Sequence, residues 1–197
     1  MIATICIVLH TVHYVYACTG IDGAHMKTVN LGPNEKLRDM TFILLTGKLV
    51  GNNEVVLAWI LAYTENSIDI KYMLTTMADN GIIIDRKEVT MVSDRGSALI
   101  KSYEDFFKAA SHKYCDLHIT RAFPPAWGSH TLYWSARNAP TKREHEDAMA
   151  RMLVKSPAMH AHLSKFDHWA MYEFIEKGCM LYDIKSSNIV EGKSTRV

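Results

Sequence analysis

Three acidic residues occupy positions where this chain could do metal chemistry: Asp22 in GIDGAHMK, Asp94 in VTMVSDRG and Glu191 in SSNIVE. Asp22 closes an apolar run and is followed at once by Gly23. A glycine there lets the backbone turn beside a carboxylate presented at the mouth of a strand. On its own an Asp-Gly pair reads as a turn. A second acidic strand end at Asp94, and a third acid close to the last residue, make the group a candidate metal cage. Carboxylate oxygens brought together hold divalent cations, and a nucleic-acid phosphate can bridge a pair of such ions. The chemistry expected is phosphodiester cleavage, with water or a 3′-hydroxyl as the attacking group.

The rest of the chain must bring these residues together. Its 197 residues are enough for one well-cored domain with a helical insert. Hydrophobic residues at 48% and charged residues at 22% give the balance of a folded soluble protein. A net charge of +1 excludes a chain-wide basic surface, so any nucleic-acid contact must be local. Cys6, Cys18, Cys115 and Cys179 are scattered and form no CxxC pair, which argues for a reducing compartment over a disulfide scaffold. The opening MIATICIVLHTVHYVYAC lacks a basic start, and His10, Thr11 and His13 interrupt its apolar run. It is too short for a membrane span and reads as buried strand material or a ragged start.

In chain order the pattern predicts a strand from Val12 to Ile21 delivering Asp22, then a polar loop from Thr28 to Asp39. Strands over Met40–Leu49 and Glu54–Tyr63 follow, joined by a Gly51-Asn52-Asn53 hairpin turn. Ser67 to Gly81 carries a helical stripe of Ile68, Ile70, Tyr72, Met73, Leu74, Met77 and Ala78, with Ser67 as N-cap and Gly81 as stop. Ile82–Ile84 and Val89–Val92 are short apolar runs, the second leading to Asp94. Gly96–Ala110 is helical in period and His112–Ile119 reads as a fifth strand. Trp127–Asn138 is irregular, and Thr141–Lys155, Pro157–Leu163 and Ser164–Lys177 read as helices. Ser187 or Asn188 would cap a last helix carrying Glu191 in its first turn.

Three strands, a helix, a strand, a helix and a strand is the element order of a ribonuclease H-like fold. That is an α/β class with a mixed sheet flanked by helices. It would place Asp22 beside Asp94 on neighbouring strands. The boundaries expected are an N-terminal extension over residues 1–14, the core over 15–122, an all-helical insertion over 123–180, and a truncated last core helix over 181–197.

The motifs that carry the next step are IDGAHMK, LLTGKLVGNNEVVLAWILAYTEN, VSDRGSALI, YCDLHITR, SPAMHAHL with HWAMYEF, and SSNIVE. In this order and spacing, from about Val15 to Glu191, the chain resembles the catalytic domain of Mutator-like (MULE) transposases. Asp94 lies 72 residues after Asp22, and Glu191 lies 97 after Asp94, leaving room for a helical insert. The resemblance implies a DDE triad of Asp22, Asp94 and Glu191 holding two Mg²⁺ or Mn²⁺ ions. It implies cleavage at transposon ends and strand transfer to target DNA, in the nucleus. Double-stranded DNA would be the partner, with a second copy of the chain when two ends are synapsed, and no membrane. Glu144, Glu146, Glu173 and Glu176 are competitors for the third acid. With Val197 only six residues past Glu191, and no zinc-binding modules, the chain reads as a fragment or decayed copy. A catalytically inactive, domesticated DNA-binding regulator is the alternative. A ribonuclease H-like nuclease of another family is a further one; it would want a fourth acid near the third and would not need the helical insert or the C-x2-H block.

Other residues carry two readings each. Cys115 and His118 have the spacing of half a zinc site without a second pair, or else shape the site by packing. His25 could touch a phosphate or sit behind a metal ligand, or be a loop histidine. Arg95 could neutralise a phosphate or pair with an acid, and Arg121 could reach a DNA backbone or lie in solvent. Trp127, Trp134 and Trp169 could stack on a base or belong to a core. Lys142-Arg143, followed by Glu144, Glu146 and Asp147, reads as a solvated helix face.

Overall fold

The computed structural model describes residues 5–7, 15–26, 30–32, 35–36, 40–49, 54–128 and 130–179, with side chains for 19–23, 40–47 and from 55 onward within those ranges. Glu191, its capping Ser187 and Asn188, and the Gly51-Asn53 turn lie outside the described residues.

A mixed six-stranded sheet is built from β1 (Ile5–Ile7), β2 (Val15–Met26), β5 (Met40–Leu49), β6 (Glu54–Ala62), β7 (Thr90–Ser93) and β8 (Ser111–Tyr114). Their order across the sheet is β1-β6-β5-β2-β7-β8. A separate two-stranded ribbon, β3 (Asn30–Gly32) with β4 (Glu35–Lys36), occupies part of the expected Thr28–Asp39 loop. β2 is central, antiparallel to β5 on one side and parallel to β7 on the other. It runs past Asp22 to Met26, so Asp22 lies inside the strand and not at its end, because β5 keeps pairing with it as far as Met26. The parallel pairing with β7 does stop at Ile21, which faces Ser93. Ile5–Ile7 is an edge strand on β6, so part of the opening run joins the sheet.

Helices α1 (Ser67–Asp79) and α2 (Ser97–Phe106) pack on one face. The cap of α1 is Asn66, one residue before the expected Ser67; its side chain accepts a hydrogen bond from the Asp69 backbone at 2.9 Å. Ile70, Met73, Leu74 and Met77 form its buried stripe, whereas Ile68 is 78% and Tyr72 47% exposed. The stripe packs against Ile43, Leu45, Leu57 and Ile60 of the sheet. Burying each such side chain contributes roughly 1.5–3 kcal/mol.

The helical unit has its own core. It contains α4 (Thr131–Arg137), α5 (Lys142–Lys155), α6 (Pro157–Leu163) and α7 (Met171–Glu176). Tyr133, Ala136, Ala148, Met152, Met159, Leu163 and Trp169 are buried together in it. Trp169 is thus a core residue, with its indole N–H donating to the Phe166 carbonyl at 3.1 Å. Three expectations are corrected. The 131–137 segment is helical, not irregular; Tyr133 and the buried Arg137 anchor it inward. The helix expected over Ser164–Lys177 forms only from Met171, because His168 takes a left-handed φ of +62°. The fifth strand ends at Tyr114, and α3 (Asp116–Arg121) begins at once with Cys115 as its N-cap. No helix among the described residues is long and apolar enough to cross a membrane.

Asp116 explains that last break. Its carboxylate is fully buried and accepts from Lys113 Nζ at 2.8 Å, Arg137 Nη2 at 2.9 Å, Arg137 Nε at 3.1 Å and the Tyr133 hydroxyl. Burial pulls the Lys113 ammonium toward its neutral form, and the Asp116 charge opposes it. One carboxylate therefore fastens β8, α3 and α4 together. Removing such a partner leaves uncompensated buried charge, a loss of about 3–5 kcal/mol.

Asp85 performs the same task at the surface. It accepts from the backbone N–H groups of Lys108, Ala109 and Ala110 at 2.8–2.9 Å, closing the loop that leads into β8. Burial works to raise its pKa, but the N–H groups of Ala110, Lys108 and Ala109 and the Lys108 charge together hold it below the ordinary carboxylate range. A depressed carboxyl stabilises the fold above its unfolded pKa and loses that contribution as pH falls through the folded value. Asp85→Ala is expected to lower unfolding stability by about 1–2 kcal/mol at pH 7. Urea titrations should show this gap closing as the pH drops below the carboxylate range.

Candidate metal centre

The site forms where β7 and β8 end and the parallel pairing of β2 with β7 stops. Ile21 of β2 pairs with Ser93 of β7, and Ser93 with Tyr114 of β8, so the next residues along are Asp22, Asp94 and Cys115. The Cys115 N–H continues that ladder to the Ser93 carbonyl at 2.7 Å. Side chains alternate along a strand, so Ile21 enters the α1/α2 core while Asp22 faces the other side. Ligand sites in open α/β sheets gather at such carboxyl ends.

Each aspartate is oriented by a glycine. The Gly23 N–H donates to Asp22 Oδ1 at 2.9 Å, and the Gly96 N–H at the start of α2 donates to Asp94 Oδ1 at 2.7 Å. Behind Asp94, Ser93 Oγ donates to the Asp94 carbonyl and lies 2.8 Å from His112 Nε2. Burial, with the His168 and Lys113 charges, pushes the His112 ring down to about 3, so it stays neutral.

Asp22, Asp94 and His118 place one ligand atom each within 4.8 Å of one another. Asp22 is buried and the other two are half-buried. His118 comes in on the first turn of α3, hydrogen-bonded to the buried Cys115 thiol. That bond is the largest influence holding its pKa up at about 9; burial opposes it, and the Cys115, Asp22 and Asp94 charges add to it.

Glu65 lies beside the group without belonging to it, and the motifs did not single it out. It lies between β6 and the Asn66 cap of α1. A Cβ at Gly23 would collide with Glu65 Oε2, and one at Gly96 would come within 2.9 Å of both Glu65 Oε1 and Asp94 Oδ1. A side chain at either glycine would displace this carboxylate from its present place. Burial first, then Asp94 and Asp22, push its pKa up to about 7. An acid just past the end of β6 satisfies the same strand-end rule that picks out Asp22 and Asp94.

The remaining candidates separate. Arg95 stacks its guanidinium over the Phe166 ring, 4.0 Å from the centroid, bridging the site to the helical unit. Arg121 is exposed in the last turn of α3. His25 pairs with Thr41 in the β2/β5 register, and its side chain is outside those described. Glu144 serves the Thr141 cap of α5, Glu146 meets Lys142 at 4.0 Å on an exposed face, and Glu173 accepts from the His168 N–H. Among the described residues none of these acids belongs to the metal-binding group. Trp127 and Trp134 are half-buried against the helical core.

No protein-family model matches the chain, and no curated protein sequence matches it either. The donor set fits a divalent cation: two aspartates and an imidazole converge, and a third carboxylate lies close by, so the carboxylates outnumber the one imidazole. Glu65→Gln removes like charge from this cluster. It is expected to raise the melting temperature of the metal-free protein by about 2–4 °C, the response to ~1 kcal/mol after solvent screening. The same change should shrink the further rise that Mn²⁺ produces, as read by differential scanning calorimetry.

Proposed function

We propose that the chain is the catalytic domain of a DDE-type DNA transposase similar to the Mutator-like family, on a ribonuclease H-like fold. The single observation that supports this best is the meeting of Asp22 and Asp94, 72 residues apart, beside one another at the ends of paired central strands. The strand order β6-β5-β2-β7-β8, with β2 central and parallel to β7, is compatible with a ribonuclease H-like sheet. The helical unit supports the insertion that the resemblance implies.

In this reading Asp22 and Asp94 hold the cations, with Glu191 as the expected third acid. Bound Mg²⁺ or Mn²⁺, two ions in this reading, supplies activation of the attacking oxygen and neutralises charge developing on the phosphate. Arg95, held over the Phe166 ring beside Asp94, offers a positive charge to the DNA backbone. Arg121 is exposed on the helix that carries His118 and can add a second contact. The partners are double-stranded DNA at transposon ends and targets, and a second copy of the chain, in the nucleus.

Glu65 favours a second reading, a ribonuclease H-like nuclease that cleaves without joining, since it supplies the additional acid such an enzyme wants. Both predict Mn²⁺- or Mg²⁺-dependent nicking of supercoiled plasmid by the full chain, reduced by about 10²-fold or more in Asp22→Ala and Asp94→Ala. Joining of a 3′-hydroxyl oligonucleotide to the plasmid is expected of the transposase alone. Nicking that survives either substitution overturns the assignment of these aspartates. Metal binding without nicking or joining would instead match the inactive, DNA-binding regulator.

A further inference from the structure

We propose that His118 is itself a ligand of the cation held by Asp22 and Asp94, oriented by Cys115, and that the centre therefore prefers a transition-metal ion such as Mn²⁺ over Mg²⁺. This rests on the reading of Asp22 and Asp94 as a metal centre and adds to it the identity of a nitrogen ligand.

The geometry carries it. A ring nitrogen of His118 lies within 4.8 Å of an oxygen of each aspartate, close enough for one ion to span all three. The ring is not a loose surface group. His118 sits in the first turn of a helix whose N-cap is Cys115, and that fully buried thiol is its hydrogen-bond partner. Metal-ligating histidines are characteristically held this way, with one ring nitrogen fixed by a neighbour and the other turned to the metal. Helix α3 in turn cannot drift, because Asp116 beside Cys115 is locked to Lys113, Arg137 and Tyr133.

The chemistry of the donors sets the preference. Mg²⁺ favours carboxylate, carbonyl and water oxygens, whereas imidazole suits later divalent ions and raises affinity for them over Mg²⁺. A site made only of Asp22, Asp94 and Glu65 would discriminate less between the two ions. The ion displaces the proton that the His118 ring carries in the metal-free protein, and a centre with the neutral ring as ligand holds Mn²⁺ more tightly than Mg²⁺. If His118 contacts a DNA phosphate instead, it leaves metal affinity in the absence of DNA untouched.

The test uses the full chain without DNA. Mn²⁺ is titrated calorimetrically in the presence and absence of Mg²⁺, and the bound Mn²⁺ is examined by electron spin-echo spectroscopy for nitrogen coupling. Wild-type protein is expected to show the ¹⁴N coupling of a directly bound imidazole. His118→Ala should abolish it and weaken Mn²⁺ binding by about tenfold or more, with a smaller effect on Mg²⁺. Mn²⁺ bound with no nitrogen coupling in the wild-type protein overturns the inference whether or not the variant folds, as does coupling that persists in His118→Ala. In either case an Mn²⁺ site that still depends on Asp22 leaves the metal-centre reading standing. Absence of Mn²⁺ binding to the wild-type chain overturns both.

Discussion

Crowding of negative charge at the end of the central strands is the constraint on which the molecule is organised. Asp22 and Asp94 approach within 4.8 Å, and Glu65 is pressed against the glycine that follows one and the glycine that opens α2 after the other. Two ionised carboxylates at that separation repel by on the order of 3 kcal/mol near a protein surface. The His118 ring, whose pKa the two aspartates help to raise, offsets only part of that repulsion in the metal-free protein. Glu65 shows the tension, since burial and the two aspartates hold its pKa near 7. A divalent cation relieves this repulsion, and sites that store strain of this kind are characteristically functional.

The surrounding structure holds that cluster in place. Gly23 and Gly96 provide backbone N–H donors and withhold side chains that would fill the space. Ser93 and the neutral His112 fix the backbone of Asp94 from behind. On the other side, the buried Asp116 network ties α4 of the helical unit to the helix that carries His118. Arg95 adds a second tie by stacking on Phe166. The helical unit is therefore attached to the sheet through residues that adjoin the site, so a shift in its packing would be felt at His118 and Asp94.

Asp22 and Asp94 were legible because an acid after an apolar run is a local pattern that needs only strand periodicity. The strands Met40–Leu49 and Glu54–Ala62 are legible for the same reason, and the helix Pro157–Leu163 by its proline at the first turn and helical period. The partnership of Cys115 with His118 was hidden by reading 112–119 as one strand. In a strand residues three apart point to opposite faces, whereas in the first turn of a helix they share one. What breaks the strand is the long-range demand of Asp116 for Lys113, Tyr133 and Arg137, which no local pattern carries. The helix at Thr131–Arg137 was obscured likewise, since a buried arginine spoils an amphipathic pattern. Glu65 was passed over because a polar TEN stretch before a helix reads as a cap, and Asn66 is indeed the cap. Glu191 lies outside the described residues, so its place in the group rests on the SSNIVE motif alone.

Anomalous diffraction from crystals of the full chain grown with Mn²⁺ would locate the ion itself. The arrangement described above requires a peak within bonding distance of Asp22, Asp94 and His118, with Glu65 beside it. Well-ordered Asp22 and Asp94 with no anomalous density between them, at Mn²⁺ concentrations that saturate ordinary carboxylate cages, would show that the charge cluster is not a metal centre.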